Sequence, residues 1–159
     1  MPFPGSVLNA MNGADQKLLK HALSQLETES LTEQRVQWLE TKSWWTPDWE
    51  KYQMVIEKFF PGTHLVAMPS KEAWDDLQFS DSLVFPDDKY AVKKMKMGDC
   101  HDNSASLAVK VPHYRLYSGY ALSKDRLWRN HSWVMDKNSI IETTEERIAY
   151  FGYSVFQKS

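Results

Sequence analysis

The chain carries one cysteine, Cys100, in GDCHDNSASLAV, a segment that reads as a turn opening a helix. Thirty-one positions later stands His131 in the strand-like run HSWVM, and eleven further on Glu142 in strand-like IIETT. A lone thiol at a helix start, then an imidazole and a carboxylate on adjacent strands, is the order of a cysteine-nucleophile site. A free thiol titrates near pH 8.5, so only a few per cent of it is reactive thiolate at neutral pH. Unpaired backbone N–H groups and the dipole at a helix N-terminus favour the anion. A neighbouring imidazolium lowers the thiol pKa further and supplies the proton that a leaving group needs. A carboxylate behind the imidazole fixes its ring and tautomer. The helix-start N–H groups also stabilise a developing oxyanion, an effect on the order of 3 kcal/mol per donor.

The neighbours of these three residues suit the same chemistry. Gly98 permits a tight turn and close approach of a substrate to the backbone. Asp99 is placed to cap the helix, which puts Cys100 in its first turn. Strand alternation sets His131 and Trp133 on one face, with Ser132 and Val134 on the other. Gly98, Asp99, His101 and Trp133 are therefore the candidate substrate-binding residues, although plain exposure is the first reading of His101. Asn103 is read as a brace for the loop. Glu142 lies across the Lys137-Asn138 turn at a depth that can reach His131, and register decides whether Glu142 or Thr143 shares its face. The alternative for Glu142 is a solvated strand residue. No metal and no cofactor is expected: one cysteine excludes a multi-thiolate site, and Cys100, His101 and His131 lack zinc-ligand spacing.

The elements that must position these groups follow from periodicity. Residues 1–13 read as an irregular arm because of Pro2, Pro4 and Gly5. Leu18, Leu19, Ala22, Leu23 and Leu26 predict a helix from Ala14. A second helix is signalled by Ser30 or Thr32 as cap and Glu33, with Val36, Trp38 and Leu39 on its apolar side. Thr46-Pro47 opens a third, carrying Trp49, Tyr52, Met54, Val55, Ile56, Phe59 and Phe60 until Pro61-Gly62 stops it. HLVAM (64–68) is a short strand, Ser70 caps a further helix, and 79–92 reads as a long surface connection. Tyr114 to Leu122 alternates as a strand with Gly119 as a bulge. Leu127 to Met135 and Ser139 to Thr143 form a hairpin about Asp136–Asn138. Glu145 to Tyr150 is expected to be a short helix and Tyr153 to Phe156 an edge strand. The predicted class is α+β in one domain over 1–159: a mainly helical part over 14–92, then a Cys-bearing helix packed on a C-terminal antiparallel sheet over 93–159.

Composition bounds the partners. The 159 residues are 42% hydrophobic and 25% charged, with net charge −2, which gives no electrostatic case for nucleic acid. Lys93, Lys94 and Lys96 gather before Cys100 and read as a solvated loop. No secretory signal precedes the fold and no uncharged apolar run nears eighteen residues, so no membrane partner and a cytoplasmic location are the default, with export by a route that needs no cleaved signal as the alternative. Oligomeric state is not readable. Aromatic content is 13% with seven tryptophans, and Trp38, Trp44, Trp45 and Trp49 crowd one stretch, as a core or as a partner surface.

Gly98-Asp99-Cys100 opening a helix, then His131-Ser132-Trp133 and Ile141-Glu142-Thr143-Thr144 on strands, resembles the papain-like superfamily, nearest its transglutaminase-like and NlpC/P60-like branches. The pattern CHDNS…GYAL…HSW…IETT is also similar to small bacterial and phage proteins of that fold. The resemblance covers Gly98 to Gly152. It implies Cys100 as nucleophile, His131 as general base and acid, and Glu142 as the orienting residue. The chain departs from transglutaminases in having Glu142 in place of aspartate and a compact Cys-to-His interval, and from NlpC/P60-like proteins in lacking a third histidine. The implied activity is a cysteine hydrolase or acyltransferase acting through a thioester on a peptide, protein or small amide substrate. The alternative is a non-catalytic protein-binding module that uses the Trp-rich helical half.

Overall fold

A computed structural model of the chain describes residues 13–27, 34, 37–38, 41, 47–67, 83–86 and 89–155. The expected arm before Gly13, the helix start at Ser30 to Glu33, Trp44 and Trp45, the helix after Ser70, and Phe156 lie outside these residues. Helix α1 spans Gly13–Ser24, α2 spans Pro47–Phe59 and α3 spans Cys100–Lys110. The strands are β1 (His64–Leu65), β2 (Leu83–Val84), β3 (Ala91–Val92), β4 (Tyr114–Leu122), β5 (Leu127–Asp136), β6 (Ser139–Glu142) and β7 (Ala149–Ser154).

Local chemistry accounts for the ends of α2. Pro47 has no N–H to leave unpaired at the first helical position, and Asp48 and Glu50 face the positive end of the dipole. Beyond the helix Gly62 takes φ +79, and its N–H is received by the Glu57 carboxylate at 3.2 Å. Gln53 closes the following strand: its amide accepts from the Leu65 N–H at 2.8 Å and donates to the Thr63 carbonyl at 2.6 Å.

Among the described residues the sheet has seven strands in the order β2-β7-β4-β5-β6-β3, with β1 added to β5. It is mixed, not purely antiparallel as expected, because β1 joins β5 and β3 joins β6 in parallel. The hairpin between β5 and β6 pairs Asp136 with Ser139, and Lys137 takes a positive φ of 57 in the turn. Three further expectations change. The connection over 79–92 contains β2 and β3, two-residue strands too short for a periodic signal. The stretch from Glu145 is no helix: Ile148 N–H already bonds the Leu122 carbonyl and β7 starts at Ala149. That last strand is interior, lying between β2 and β4.

One face of the sheet carries Tyr120, Leu122, Trp128 and Phe151, and α1 and α2 close over it with Leu19, Ala22, Trp49, Ile56, Phe59 and Phe60. Phe60 meets Trp128 edge-on at 5.3 Å. Trp49 is fully engaged there, its indole N–H donating to the Leu65 carbonyl at 2.6 Å. Trp38, expected on an apolar helix side, is 55% exposed. Farther along the same face, α3 packs over Ser118 and Ser132. The opposite face holds Ala121, Trp133, Met135, Ile140 and Tyr150.

Gly119 is not a bulge. It pairs in unbroken register with His131 on β5 and Gly152 on β7. Its need for glycine is steric: a Cβ there would collide with the Phe151 carbonyl oxygen and lie 2.6 Å from the Gly152 Cα. Because both obstacles are backbone, the sheet itself would have to shift. We predict that Gly119→Ala destabilises the fold by about 2 kcal/mol or more in urea denaturation; an unchanged midpoint would show that the strands part at no cost.

Candidate active site

The site forms where, among the described residues, β5 lacks a strand on one side. Along one edge β4 pairs with β5 from Trp128 to Asp136. Along the other edge β1 takes Leu127 and Trp128, and β6 takes Val134 to Asp136. Residues 129–133 between them face the N-terminal half of α3. There Ser104 donates its hydroxyl to the Ser132 carbonyl at 3.3 Å, and the Ser132 N–H lies near enough to the Cys100 thiol to lower its pKa. Helix α3 thus satisfies backbone groups that a strand would otherwise take.

The loop carrying Cys100 is tied to the strand carrying Glu142. Lys93 N–H bonds the Glu142 carbonyl at 2.7 Å and Met95 N–H bonds that of Thr143 at 2.7 Å. A turn follows in which the Asp99 N–H reaches the Lys96 carbonyl at 3.3 Å, with Gly98 at φ +82. A Cβ at Gly98 would meet no atom, so only the dihedral calls for glycine. Asn103 braces the turn as expected, its amide donating to the Lys96 carbonyl at 2.7 Å.

Asp99 does not cap α3. It makes no side-chain cap hydrogen bond and sits 3.4 Å from the Lys96 ammonium instead. Cys100 is nonetheless in the first turn, and the first helix bond runs from Asn103 N–H to the Asp99 carbonyl at 2.8 Å. An uncapped start leaves N–H groups at the thiol available to an anion.

His131 Nε2 meets Glu142 Oε1 at 2.7 Å, with both side chains buried. Nδ1 is the ring nitrogen left for Cys100, whose thiol is close enough to raise the His131 pKa. Glu142 is fully buried, yet every lone pair has a donor. Oε2 accepts from the N–H groups of Thr143 and Thr144 and from the Thr144 hydroxyl, each at 3.0 Å. Oε1 accepts from the Tyr150 hydroxyl at 2.6 Å in addition to His131.

Electrostatics follow from these contacts. His131 is the largest influence on Cys100 and, with the Ser132 N–H, holds the thiol below its ordinary value against the opposing effect of burial. Burial is the largest influence on His131 and pushes it down, but the bonds to Cys100 and Glu142 together carry it above its ordinary value. Burial likewise pushes Glu142 up, and His131 with the other donors brings it below the usual carboxylate value. Both the thiol and imidazole shifts favour thiolate plus imidazolium over thiol plus neutral ring.

The thiol opens on a cleft of about 300 Å³ lined by Cys100, His101, Ser118, Asn130, His131 and Tyr153, among others. His101 is exposed, and it is also fixed: its Nδ1 lies 3.1 Å from the Ser132 hydroxyl, which is 2.7 Å from that of Ser118. The structure therefore brings Cys100, His131, Glu142 and His101 together. It does not place Trp133 in the cleft: Trp133 is fully buried behind His131, stacked on Tyr117 and 5.0 Å from Tyr150. Gly98 and Asp99 act through the turn and are not among the cleft residues. Ser118, Asn130, Tyr153 and Tyr150 carry no motif in the sequence; strand alternation places Tyr150 on the face of His131 and the other three on the face that α3 covers, and the pairing between strands is needed to bring them to the site.

Among the described residues, no group of three or more His, Cys, Asp and Glu side chains converges in a way that could hold a metal ion, and no helix is long and apolar enough to cross a membrane. Comparison with protein-family models, curated proteins and solved structures finds no match to this chain.

Two outcomes are expected. Alkylation of Cys100 should be fast below the pH at which ordinary thiols react. His131→Ala removes the main lowering influence and leaves burial opposed only by the Ser132 N–H, so the rate at mildly acidic pH should fall about tenfold or more; an unchanged profile would contradict the thiol–imidazole contact. For stability, the depressed Glu142 contributes fully above the ordinary carboxylate value, and that contribution is lost as pH falls through its folded value. The raised His131 contributes fully below the ordinary imidazole value, and that contribution is lost as pH rises through its folded value. Glu142→Gln should therefore cost about 3 kcal/mol near neutrality and flatten the acid limb of a pH-stability curve; a parallel curve would count against the pairing.

Proposed function

We propose that the protein is a cysteine hydrolase or acyltransferase that cleaves an amide, peptide or isopeptide bond through a thioester at Cys100. The observation that carries this reading is the order Cys100, His131, Glu142 in space, with His131 bonded to Glu142 at 2.7 Å and acting on a thiol that lies at a helix start and on a cleft. The papain-like resemblance of Gly98 to Gly152 agrees with that arrangement, and the α+β architecture is compatible with it.

The chemistry needs no group beyond these residues. The thiolate attacks the substrate carbonyl carbon, forming a C–S bond and an oxyanion within reach of the N–H groups at the start of α3. His131 gives its proton to the leaving nitrogen as the C–N bond breaks, releasing an amine and leaving a thioester. Water or an acceptor amine then attacks, His131 takes its proton, and the thiolate departs. Glu142 stays a carboxylate throughout, because five donors already hold its two oxygens. The cleft is at the small end of ligand sites and its polar lining is largely uncharged, which suits a short peptide segment or a small amide.

The alternative, a non-catalytic binding module using the Trp-rich half, now rests on Trp44 and Trp45, because Trp49 is a core residue. A partner whose capture survives Cys100→Ala and is lost with Trp44→Ala plus Trp45→Ala would favour it.

The decisive experiment traps the acyl-enzyme. Incubation with a panel of activated amides and peptide thioesters, followed by intact-mass measurement, should show one acyl adduct on the wild type. Cys100→Ala should show none, and His131→Ala should form it about 10³-fold more slowly. No adduct from any member, together with an ordinary thiol titration, would sink the proposal.

A further inference from the structure

Glu142 receives more donors than the orientation of one imidazole requires. Thr143 and Thr144 fix Oε2 from the chain that follows β6. Oε1 is shared by His131 Nε2 at 2.7 Å and the Tyr150 hydroxyl at 2.6 Å. Behind Tyr150 the chain of hydrogen bonds continues: the Tyr90 hydroxyl lies 2.8 Å from that of Tyr150, and the Arg147 N–H reaches the Tyr90 oxygen at 3.1 Å.

The direction of donation in this chain is determined. The one proton on the Tyr150 hydroxyl goes to the carboxylate, so Tyr90 must donate to the Tyr150 oxygen, and Arg147 donates to Tyr90. Three donors in series point at Glu142 Oε1, each polarising the next. Burial raises Tyr90 to about 12 and Tyr150 well above its ordinary value, so both stay protonated over the range in which the thiol and imidazole titrate.

We infer that Tyr150, backed by Tyr90, is a positioning residue of the triad: it competes with His131 for Glu142 Oε1 and thereby sets how tightly the carboxylate holds the imidazole proton. The inference rests on the thioester reading only for its catalytic meaning, since the hydrogen-bond chain exists whatever the site does. Its consequence is a balance. A carboxylate left to His131 alone would bind the proton more strongly and release it less readily to a leaving amine. Sharing the oxygen moderates the pair without removing the charge.

Other groups also face His131, and the test must isolate Tyr150 from them. Cys100 and His101 approach from α3, Glu142 from β6, and Tyr150 with Arg147 from β7 and the segment before it, with Tyr90 beyond them. The Arg147 guanidinium is anchored elsewhere, on the Ser123 hydroxyl at 2.8 Å and 3.6 Å from Glu145. Tyr90 is only partly buried and lines a second cleft of about 680 Å³, so removing its hydroxyl disturbs the interior least.

The experiment titrates the His131 ring by NMR in the full chain carrying Cys100→Ser, which removes the coupled thiol. Tyr150→Phe keeps the ring and deletes the donor; His131 should titrate higher by about half a pH unit. Tyr90→Phe should move it in the same direction by less. Because Tyr90 acts only through Tyr150, the double variant should equal Tyr150→Phe alone. No shift, a downward shift, or a full additional effect of Tyr90→Phe in the Tyr150→Phe background would each overturn the inference. If Tyr150→Phe fails to fold, Tyr90→Phe decides alone: an upward shift supports the inference and none overturns it. The titration needs no substrate, so its outcome is separate from that of the acyl-enzyme trap.

Discussion

A carboxylate without solvent must be given its hydrogen bonds by the protein, and Glu142 takes five. Left unpaired, such a charge costs several kcal/mol and would lift its own pKa until it neutralised. The donors come from three places: His131 on β5, Tyr150 on β7, and, after β6, the N–H groups of Thr143 and Thr144 with the Thr144 hydroxyl. Satisfying Glu142 therefore fixes three strands relative to one another. It also explains the path of the chain beyond Thr144. Two successive N–H groups turned back on the Glu142 side chain define a tight exit, after which the Ile148 N–H joins the β4 ladder at the Leu122 carbonyl. A helix over Glu145 to Tyr150 would pull Tyr150 off β7 and away from Oε1.

The second constraint is the divided edge of β5. A strand running the full length of that edge would have taken the Ser132 N–H and carbonyl. With β1 at one end and β6 at the other, those groups are free to engage Cys100 and Ser104 of α3. The thiol then sits at the margin of the sheet, where a residue on one face and a helix on the other can meet. Burial of the reactive groups and access for a substrate are reconciled by position: His131 and Glu142 lie inside, and Cys100 is half-buried at the cleft.

Much of this was legible in the residues. Cys100, His131 and Glu142 stood out by type and order, and strands β4, β5 and β6 by alternation with a tight turn between the last two. Other features escaped for physical reasons. Gly119 reads as a bulge because a glycine inside a strand signals either a bulge or a close approach, and only the neighbouring Gly152 on β7 decides between them. Asp99 has the right residue type for a cap, but its carboxylate lies beside Lys96. Trp133 follows His131 on the same strand face, and periodicity cannot tell the open end of a face from its covered end. Strands β2 and β3 are two residues each, held by pairing to distant partners, and no local pattern encodes them; β1 was legible in HLVAM, although only His64–Leu65 pairs.

The choice of glutamate at position 142 follows from register. Val134 pairs with Ile141, so the next step places Glu142 opposite Trp133 and His131 one pair further along the same face. Diagonal neighbours on a sheet lie roughly 7–8 Å apart, beyond the reach of the shortest side chains. The extra methylene of glutamate lets Oε1 span that diagonal to His131 while Oε2 folds back to Thr143 and Thr144. An aspartate at the same position could serve its own backbone or the imidazole, not both. The length of the glutamate side chain therefore carries the carboxylate from its own strand pair to the imidazole. Its length also places Oε1 where Tyr150 can reach it, so the register of one hairpin decides both the third member of the triad and the residue behind it.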